Sequence, residues 1–249
     1  MNKQSFSSNK HFDLSIVLPV YNEGENITTQ IIALEKDVIN PHEILIVYDF
    51  DEDNTIPYAR KLQRKFKSVI LVKNNFGKGV INAVKTGIKN AKGKVVVIMP
   101  ADLADEPKTV NKMYTKMEDG FDIVCASRYG KGGKKIGGGF LKTLLSRFAG
   151  QLSPFLLGIP TTDISNGFKM YKRNIFDKIK IESTGGWEYS CEIIIKAYHA
   201  GFKIGDVPTV WRDRTVGKSK FKLLKWLPKY VRWYLYGILV RLNVNRLRF

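Results

Sequence analysis

Cysteine and histidine are scarce in this sequence. Its 249 residues include two cysteines and three histidines. Cys125 and Cys191 stand in apolar strand or helix patterns, and the histidines lack the spacing of metal ligands. These absences argue against a disulfide framework and against a metal cluster held by thiolate or imidazole groups.

Long apolar runs are also missing. Residues 233–240 form an uncharged run that would reach roughly 12 Å as a helix. The hydrocarbon core of a bilayer is about 30 Å thick, so we expect no transmembrane helix there. Residues 1–10 are polar, so we expect a flexible tail and not a signal peptide. The expected location is therefore cytoplasmic.

Acidic residues are too few to balance the basic ones. The chain has 41 Lys and Arg against 23 Asp and Glu, which gives a net charge of +18. From residue 201 to residue 249, twelve basic residues stand against only Asp206 and Asp213. This excess predicts a polyanionic partner or an anionic surface near the C-terminal part of the chain.

Short apolar strands alternate with helical patterns in the first half of the chain. Strand patterns occupy residues 14–19, 43–48, 69–72 and 95–99, and residues 27–38 have helical apolar spacing. With 44% hydrophobic residues, the chain can bury one large core. The alternation predicts an α/β fold with a doubly wound, mainly parallel sheet.

Carboxylates follow these strands at one predicted rim of the sheet. Asp49 follows the second strand, and Asp102 and Asp105 follow the fourth, which ends at Pro100 because proline cannot donate to the ladder. Ligands of open α/β sheets bind at the carboxyl ends of the strands, so these acids are placed to meet a metal ion or a diphosphate. The alternative is a solvated acidic loop that caps the helix beginning near Pro107.

Five segments carry a family resemblance. They are LPVYNEGENI at 18–27, the acidic loop at 49–55, NNFGKGVINAVKTG followed by PADLADEP, ASRYGKGG at 126–133 and DRTVGKSKF at 213–221. In this order the chain resembles the family 2 glycosyltransferases of GT-A fold, and within them it is most similar to the polyprenyl-phosphate (dolichyl-phosphate) sugar synthases. The resemblance implies a GT-A catalytic domain over residues 11–221.

The resemblance also implies a pocket for a nucleotide sugar. Its contacts would come from Pro19, Tyr21, Glu23, Asp49 and Lys78, with Asp49 hydrogen-bonding the base. A charge-assisted bond of this type is worth roughly 1.5–3 kcal/mol and selects an imide-bearing base. Both UDP-linked and GDP-linked donors stay open.

The metal motif of the family is altered in this chain. Where the family has two adjacent aspartates and an Asp-Ala-Asp, this chain has Tyr-Asp at 48–49 and Pro-Ala-Asp at 100–102. Asp102 matches the family's metal ligand, and Asp105 stands where a neutral or imidazole side chain is more usual. One or two carboxylates beside a diphosphate suffice for Mg²⁺ or Mn²⁺, so we expect Asp102 and Asp105 to hold the ion. Loss of activity is the alternative.

The resemblance implies cations around the phosphate groups. Arg128 matches the arginine beside the diphosphate or the acceptor phosphate, and Arg147 is a further candidate for the acceptor phosphate. Arginine suits bidentate phosphate contacts. Arg214, Ser219 and Lys220 match the family's C-terminal phosphate-binding motif, with an ordinary basic turn as the alternative.

The acceptor side is less defined by the sequence. The glycine-rich basic loop at 131–139 is expected to lack regular structure and to close over substrates, with a solvated loop as the alternative. A hydroxyl acceptor would need Asp163 or Glu192 as a general base. A polyprenyl phosphate, with a second pKa of about 6, is largely dianionic and needs none. We therefore expect displacement with inversion, with catalytic roles for Asp102 and Arg128 and with Glu192 supporting the acceptor site.

The segment at 222–249 mixes aromatic, aliphatic and basic residues. As a helix it would group its lysines with Arg232 in one narrow sector. This pattern predicts amphipathic helices, divided by Pro228, that lie on an anionic membrane surface. A helix packed on the core, or a contact in a homo-oligomer, is the alternative.

Three functions remain for comparison. The first is a peripheral or monotopic enzyme at the cytoplasmic membrane face that moves a sugar from a nucleotide donor to polyprenyl phosphate. The second uses the same donor but a hydroxyl of a lipid-linked or cell-surface polysaccharide. The third, a nucleic-acid-binding protein, rests on charge alone and leaves the acidic rim at Asp49 and Asp102 unexplained, so we expect no nucleic acid partner.

Overall fold

The computed structural model describes residues 13–213 and 223–242. Its central sheet contains β1 (Leu14–Pro19), β2 (His42–Tyr48), β3 (Val69–Lys73), β4 (Val95–Ile98), β5 (Ile123–Ser127), β7 (Lys169–Lys172) and β8 (Ile204–Pro208). A second, two-stranded sheet contains β6 (Lys134–Ile136) and β9 (Val210–Arg212).

Helices connect most of these strands. Those in the described ranges are α1 (Asn26–Asp37), α2 (Ile56–Lys65), α3 (Val80–Asn90), α4 (Thr109–Glu118), α5 (Phe140–Leu156), α6 (Ile175–Lys178), α7 (Tyr189–His199) and α8 (Leu223–Arg241). Pro57 at the start of α2 is well placed, because its missing N–H belongs to a first turn that has no acceptor for it.

The central sheet has the order β3-β2-β1-β4-β7-β5-β8. Its neighbours run parallel except for β7, which is antiparallel to both β4 and β5. The predicted mainly parallel α/β sheet is therefore confirmed. Because β1, β2 and β4 are parallel neighbours, the loops that follow them meet at one edge.

Apolar residues cover both faces of the sheet. Ile16 and Leu18 of β1 belong to one apolar cluster with residues of α1, α2 and α4, whereas Val17 between them belongs to a second cluster with residues of α3, α7 and α8. Strands buried on both faces need continuous apolar sequence, which explains the β-branched runs. The polar loops are left at the ends of the strands.

The glycine-rich loop contains regular structure. We expected none in residues 131–139, but Lys134–Ile136 form β6, parallel to β9. The main-chain N–H of Lys134 donates to the Thr209 carbonyl at 2.9 Å. A Cβ at Gly133 would lie 2.4 Å from the Ser127 carbonyl oxygen, so this glycine permits a close backbone approach. The prediction was wrong because the strand depends on a distant partner.

The C-terminal segment forms one helix. α8 continues through Pro228, so the predicted division into two helices is wrong. Proline removes one helical hydrogen bond, and here that loss falls near the beginning of a 19-residue helix. Trp233 is 5% exposed and donates through Nε1 to Ser183 Oγ at 2.9 Å, so part of this helix packs on the core.

No helix in the described ranges is both long enough and apolar enough to span a bilayer.

Candidate functional site

The loops after β1 and β2 are tied together at the rim of the sheet. Pro19 ends β1, and the main-chain N–H of Asn22 then donates to Asp53 Oδ2 at 2.9 Å. The N–H of Glu23 donates to Thr55 Oγ1 at the same distance. These bonds fix the turn that contains the predicted nucleotide contacts.

An aromatic pair with a nearby cation lies on this rim. The rings of Tyr21 and Phe50 meet edge to face with their centroids 5.6 Å apart. Lys78 Nζ lies 5.4 Å from the centroid of the Phe50 ring. The structure thus brings together two predicted nucleotide contacts, Tyr21 and Lys78. Phe50 was missed by the sequence analysis, although an aromatic residue directly after Asp49 was a usable signal.

Asp49 organises the loop that contains Lys78. Its Oδ1 accepts a hydrogen bond from Asn74 Nδ2 at 2.7 Å, and its Oδ2 accepts one from the Gly79 N–H at 2.8 Å. Each carboxylate oxygen can accept a further bond, so these contacts leave capacity for a base. Asn74 was also missed; the only signal was a polar residue at the end of a strand.

The acidic loop after β4 has an unusual backbone and an unpartnered acid. Leu103 has φ of 62°, a left-handed conformation that is uncommon for a leucine. Asp102 Oδ1 accepts the N–H of Ala104 at 3.3 Å. Asp105 is 4% exposed, and neither carboxylate oxygen has a hydrogen-bond partner among the described residues. Burial and the charge of Asp102 raise the pKa of Asp105 to about 7, against the opposing effects of Arg128 and of the nearby Asn166 side chain, which does not reach hydrogen-bonding geometry.

These two acids fit a hard divalent cation. A buried carboxylate without a partner is costly, and a cation would satisfy both of its oxygens. The described residues contain no group of three or more His, Cys, Asp or Glu that could hold a metal. Asp102 and Asp105 would therefore have to share the ion with water or with ligand oxygens such as those of a diphosphate.

The second sheet borders the acidic loop. The Arg212 N–H donates to the Ala104 carbonyl at 2.8 Å, and Lys135 Nζ lies 5.1 Å from the centroid of the Trp211 ring. Burial and the charge of Arg128 lower the pKa of Lys135 to about 8. The glycine-rich loop thus places a lysine beside Trp211, in the strand that borders the acidic loop.

Arg128 and Asp163 form a buried ion pair. Arg128 Nε donates to Asp163 Oδ2 at 2.7 Å, and Nη2 donates to Oδ1 at 2.8 Å. The two side chains are 10% and 0% exposed. Burial lowers the pKa of Arg128, but pairing with Asp163 outweighs it and raises that pKa above its ordinary value.

Arg147 is exposed on α5, and the neighbouring Ser146 is hydrogen-bonded to the Tyr129 hydroxyl.

For the remaining predicted residues, the structure describes no contact with this rim. Glu192 is fully buried and accepts the N–H groups of Glu182 and Ser183 at 2.6 and 2.8 Å and Lys196 Nζ at 2.7 Å. It therefore holds the loop before α7. Arg214, Ser219 and Lys220 lie outside the described residues.

Asp105→Asn is expected to change the pH dependence of stability in the metal-free protein. The pKa of Asp105 is about 7 in the fold against 3.8 for an ordinary aspartate side chain, so the folded state retains a proton that the unfolded chain releases. The stability that the folded protein gains from this proton is fully present below about pH 4. It is lost as pH rises towards 7, by up to about 1.4 kcal/mol of unfolding free energy per pH unit.

The check is urea unfolding with a chelator at intervals from about pH 4 to about pH 7. The difference in unfolding free energy between the parent and Asp105→Asn should follow this slope. A difference that is constant across the range would contradict a buried, protonated Asp105.

Two known enzymes resemble this chain over most of its length. The chain is 29% identical over 232 residues to the dolichol-phosphate mannosyltransferase of Pyrococcus furiosus, covering 88% of this chain but only 64% of that relative. It is 26% identical over 228 residues to the polyprenol monophosphomannose synthase of Mycolicibacterium smegmatis, covering 85% of each chain.

Solved structures show the same fold. Glucosyl-3-phosphoglycerate synthase from Mycobacterium tuberculosis, in complex with Mn²⁺, UDP and glucosyl-3-phosphoglycerate, superposes with a TM-score of 0.66 at 19% identity. The match covers 92% of this chain and 80% of that one. The glycosyl transferase family 2 model matches residues 15–180, which include Asp49, Asp102, Arg128 and Asp163. The chain therefore belongs to glycosyl transferase family 2.

Proposed function

We propose that this protein transfers a sugar from a UDP- or GDP-linked donor to polyprenyl phosphate. The choice of acceptor rests on one observation: the two candidate general bases are already engaged in hydrogen bonds. Asp163 is held by Arg128, and Glu192 is held by two main-chain N–H groups and Lys196. A hydroxyl acceptor needs a free base, whereas a phosphate dianion does not. The two relatives named for polyprenol or dolichol phosphate support the same choice.

The donor would lie across the rim that contains Tyr21, Asp49 and Lys78. The exposed Tyr21 ring offers a surface for the base, and Lys78 supplies positive charge beside it. Asp102 and Asp105 would hold Mg²⁺ or Mn²⁺, which would neutralise the charge that develops on the departing diphosphate. The M. tuberculosis synthase binds both Mn²⁺ and UDP on the same fold, which supports this assignment.

The reaction would be a direct displacement with inversion at the anomeric carbon. The acceptor phosphate attacks from the side opposite the diphosphate, so the two anionic groups must approach one sugar together. Arg128 and Lys135 would offset their repulsion on the acceptor side. The protein contributes position and electrostatic stabilisation and no proton transfer.

An apolar surface supports a lipid acceptor. α5 exposes seven large hydrophobic side chains, and Phe140 and Phe155 are 82% and 77% exposed. The full set on this helix is Phe140, Leu141, Leu144, Phe148, Leu152, Phe155 and Leu156. Contiguous exposed apolar surface of this kind is typical of an interaction site. We infer that α5 lies on the cytoplasmic face of an anionic membrane.

α8 extends this surface and α5 connects it to the ion pair. The hydroxyl of Tyr234 donates to the Ala149 carbonyl, and Val231 and Leu235 of α8 are exposed. A Cβ at Gly150 would lie 2.2 Å from the carbonyl oxygen of Thr162, the residue before Asp163. A polyprenyl chain in the bilayer would thus have its phosphate near Arg128. The sequence analysis assigned the membrane contact to residues 222–249, and this proposal adds α5 to that surface.

Labelled nucleotide sugars added to membrane lipid extracts test this function. The protein should produce a labelled lipid that mild acid releases, as expected of a sugar phosphodiester. A labelled product that resists mild acid would favour a hydroxyl acceptor, and no labelled product with any UDP- or GDP-linked sugar would contradict the proposal.

A further inference from the structure

The guanidinium of Arg128 has only one edge without a hydrogen bond among the described residues. Nε and Nη2 are bound to Asp163, and Nη2 also lies 3.3 Å from Ser165 Oγ. The Arg128 N–H donates to the same Asp163 carboxylate at 3.0 Å. Nη1 has no hydrogen-bond partner within the described ranges. The side chain is therefore fixed in direction, with two N–H groups left for an anion.

The loop that follows Asp163 is held by a lysine that the sequence analysis overlooked. Lys169, in β7, is fully buried. Its Nζ donates to the Ile164 carbonyl at 3.0 Å, to Ser190 Oγ at 2.5 Å and to the Asn166 carbonyl. All three donors of the ammonium are used, and the loop that follows Asp163 is held at two carbonyls.

The buried charge of Lys169 has no carboxylate within salt-bridge distance in the described part of the chain. Burying an ammonium without an ion pair is costly, and an apolar side chain of similar length would fill the same space. An apolar side chain would not, however, make the three hydrogen bonds that join Lys169 to the loop at 164–166 and to α7. The position of that loop is thus what the lysine contributes.

The same loop is tied to β5, the strand that ends directly before Arg128. Asn166 Nδ2 donates to the Ala126 carbonyl in β5 at 2.9 Å, and Ser190 Oγ donates to the Asn166 carbonyl at 2.7 Å. Displacement of this loop would move Asp163 away from the guanidinium that it holds. A change at Lys169 should therefore reach Arg128 without any direct contact between the two side chains.

We propose that Lys169 and Asp163 are positioning residues that aim the free edge of Arg128 at the acceptor phosphate. Lys169 fixes the loop, Asp163 orients the guanidinium, and Nη1 meets the phosphate oxygens. Asp163 acts in this arrangement as an orienting carboxylate and not as a general base. The identity of the anion rests on the proposed function, whereas the linkage between Lys169 and Arg128 does not.

Two measurements test the linkage between Lys169 and Arg128 separately from the identity of the anion. Nitrogen-15 NMR of the Arg128 Nε–H group reports its bond to Asp163, assigned by its disappearance in Arg128→Lys. Calorimetry with farnesyl phosphate, using farnesol as the uncharged control, reports acceptor binding. Both are made on the full chain with Lys169→Met, Asp163→Asn and Ser190→Ala. Lys172→Met is the matched control, because Lys172 lies in the same strand but pairs with Asp122 at 2.8 Å.

The Nε–H proton should exchange slowly with water in the parent and in Lys172→Met, and at least about tenfold faster in Asp163→Asn and Lys169→Met. The dissociation constant for farnesyl phosphate should rise by a similar factor in both variants, while that for the nucleoside diphosphate stays within about twofold. Ser190→Ala, which removes one of the three ammonium contacts, should give an intermediate effect and serves if Lys169→Met does not fold.

Unchanged Nε–H exchange in Lys169→Met or, failing that, in Ser190→Ala would overturn the linkage. Equal losses of farnesyl phosphate and nucleoside diphosphate affinity would overturn it as well, since that pattern indicates general loosening of the fold. A parent protein that binds neither farnesyl phosphate nor farnesol would contradict the proposed function, and the NMR signal would still decide the role of Lys169.

Discussion

Asp102→Asn is expected to lower sugar transfer by about two to three orders of magnitude while the fold stays intact. Asp102 is the acid that follows β4 on the rim, and beside it Asp105 is buried without a partner among the described residues. A neutral amide at position 102 removes half of the negative charge available to a divalent cation. Because the cation would neutralise the departing diphosphate, the loss should fall on the rate more than on substrate binding.

The control for this variant is Asp119→Asn. Asp119 is an exposed acid at the end of α4, so its replacement should change neither transfer nor metal binding. Calorimetry with Mn²⁺ and a nucleoside diphosphate should show weaker metal binding for Asp102→Asn alone. Equal metal affinity in the two variants would remove Asp102 from the metal site.

The second large effect is expected on the exposed face of α5. The paired change Phe148→Glu and Leu152→Glu should lower affinity for phosphatidylglycerol vesicles at least about hundredfold. Each large apolar side chain that enters the interface contributes roughly 1.5–3 kcal/mol, and the added carboxylates repel anionic headgroups. Transfer to long polyprenyl phosphates should fall with vesicle binding, and transfer to farnesyl phosphate in solution should be retained.

Ile39→Glu is the matched control, because Ile39 is also strongly exposed but follows α1, away from α5 and α8 in the chain. It should leave vesicle sedimentation unchanged. If Ile39→Glu weakens vesicle binding as much as the α5 variant does, or if neither variant weakens it, α5 is not the membrane contact.

The central sheet and the acidic rim were predictable because they depend on local patterns. A run of β-branched residues ending at Pro100 identifies a buried parallel strand, and carboxylates directly after it lie at the binding edge in any doubly wound sheet. The positions of Asp49 and Asp102 follow from the same reasoning. Their roles, in contrast, came from the family resemblance.

The missed features depend on contacts between residues far apart in the chain. β6 exists because Lys134–Ile136 pair with Val210–Arg212, and no pattern within residues 131–139 reveals that partner. Trp233 fits an interfacial helix by its spacing, but its indole N–H bonds Ser183 in the core. Lys169 looks like one of many surface lysines until β7 is placed between β4 and β5.

The most direct test is to offer the purified protein polyprenyl phosphate or the matched polyprenol, each with UDP- or GDP-linked sugars and Mg²⁺ or Mn²⁺. Mass spectrometry of the extracted lipid then identifies the product. We predict that polyprenyl phosphate gains the mass of one sugar with at least one of the donors. The matched polyprenol should gain none. Transfer to the alcohol but not to the phosphate, or no transfer to either with any donor, would contradict this account.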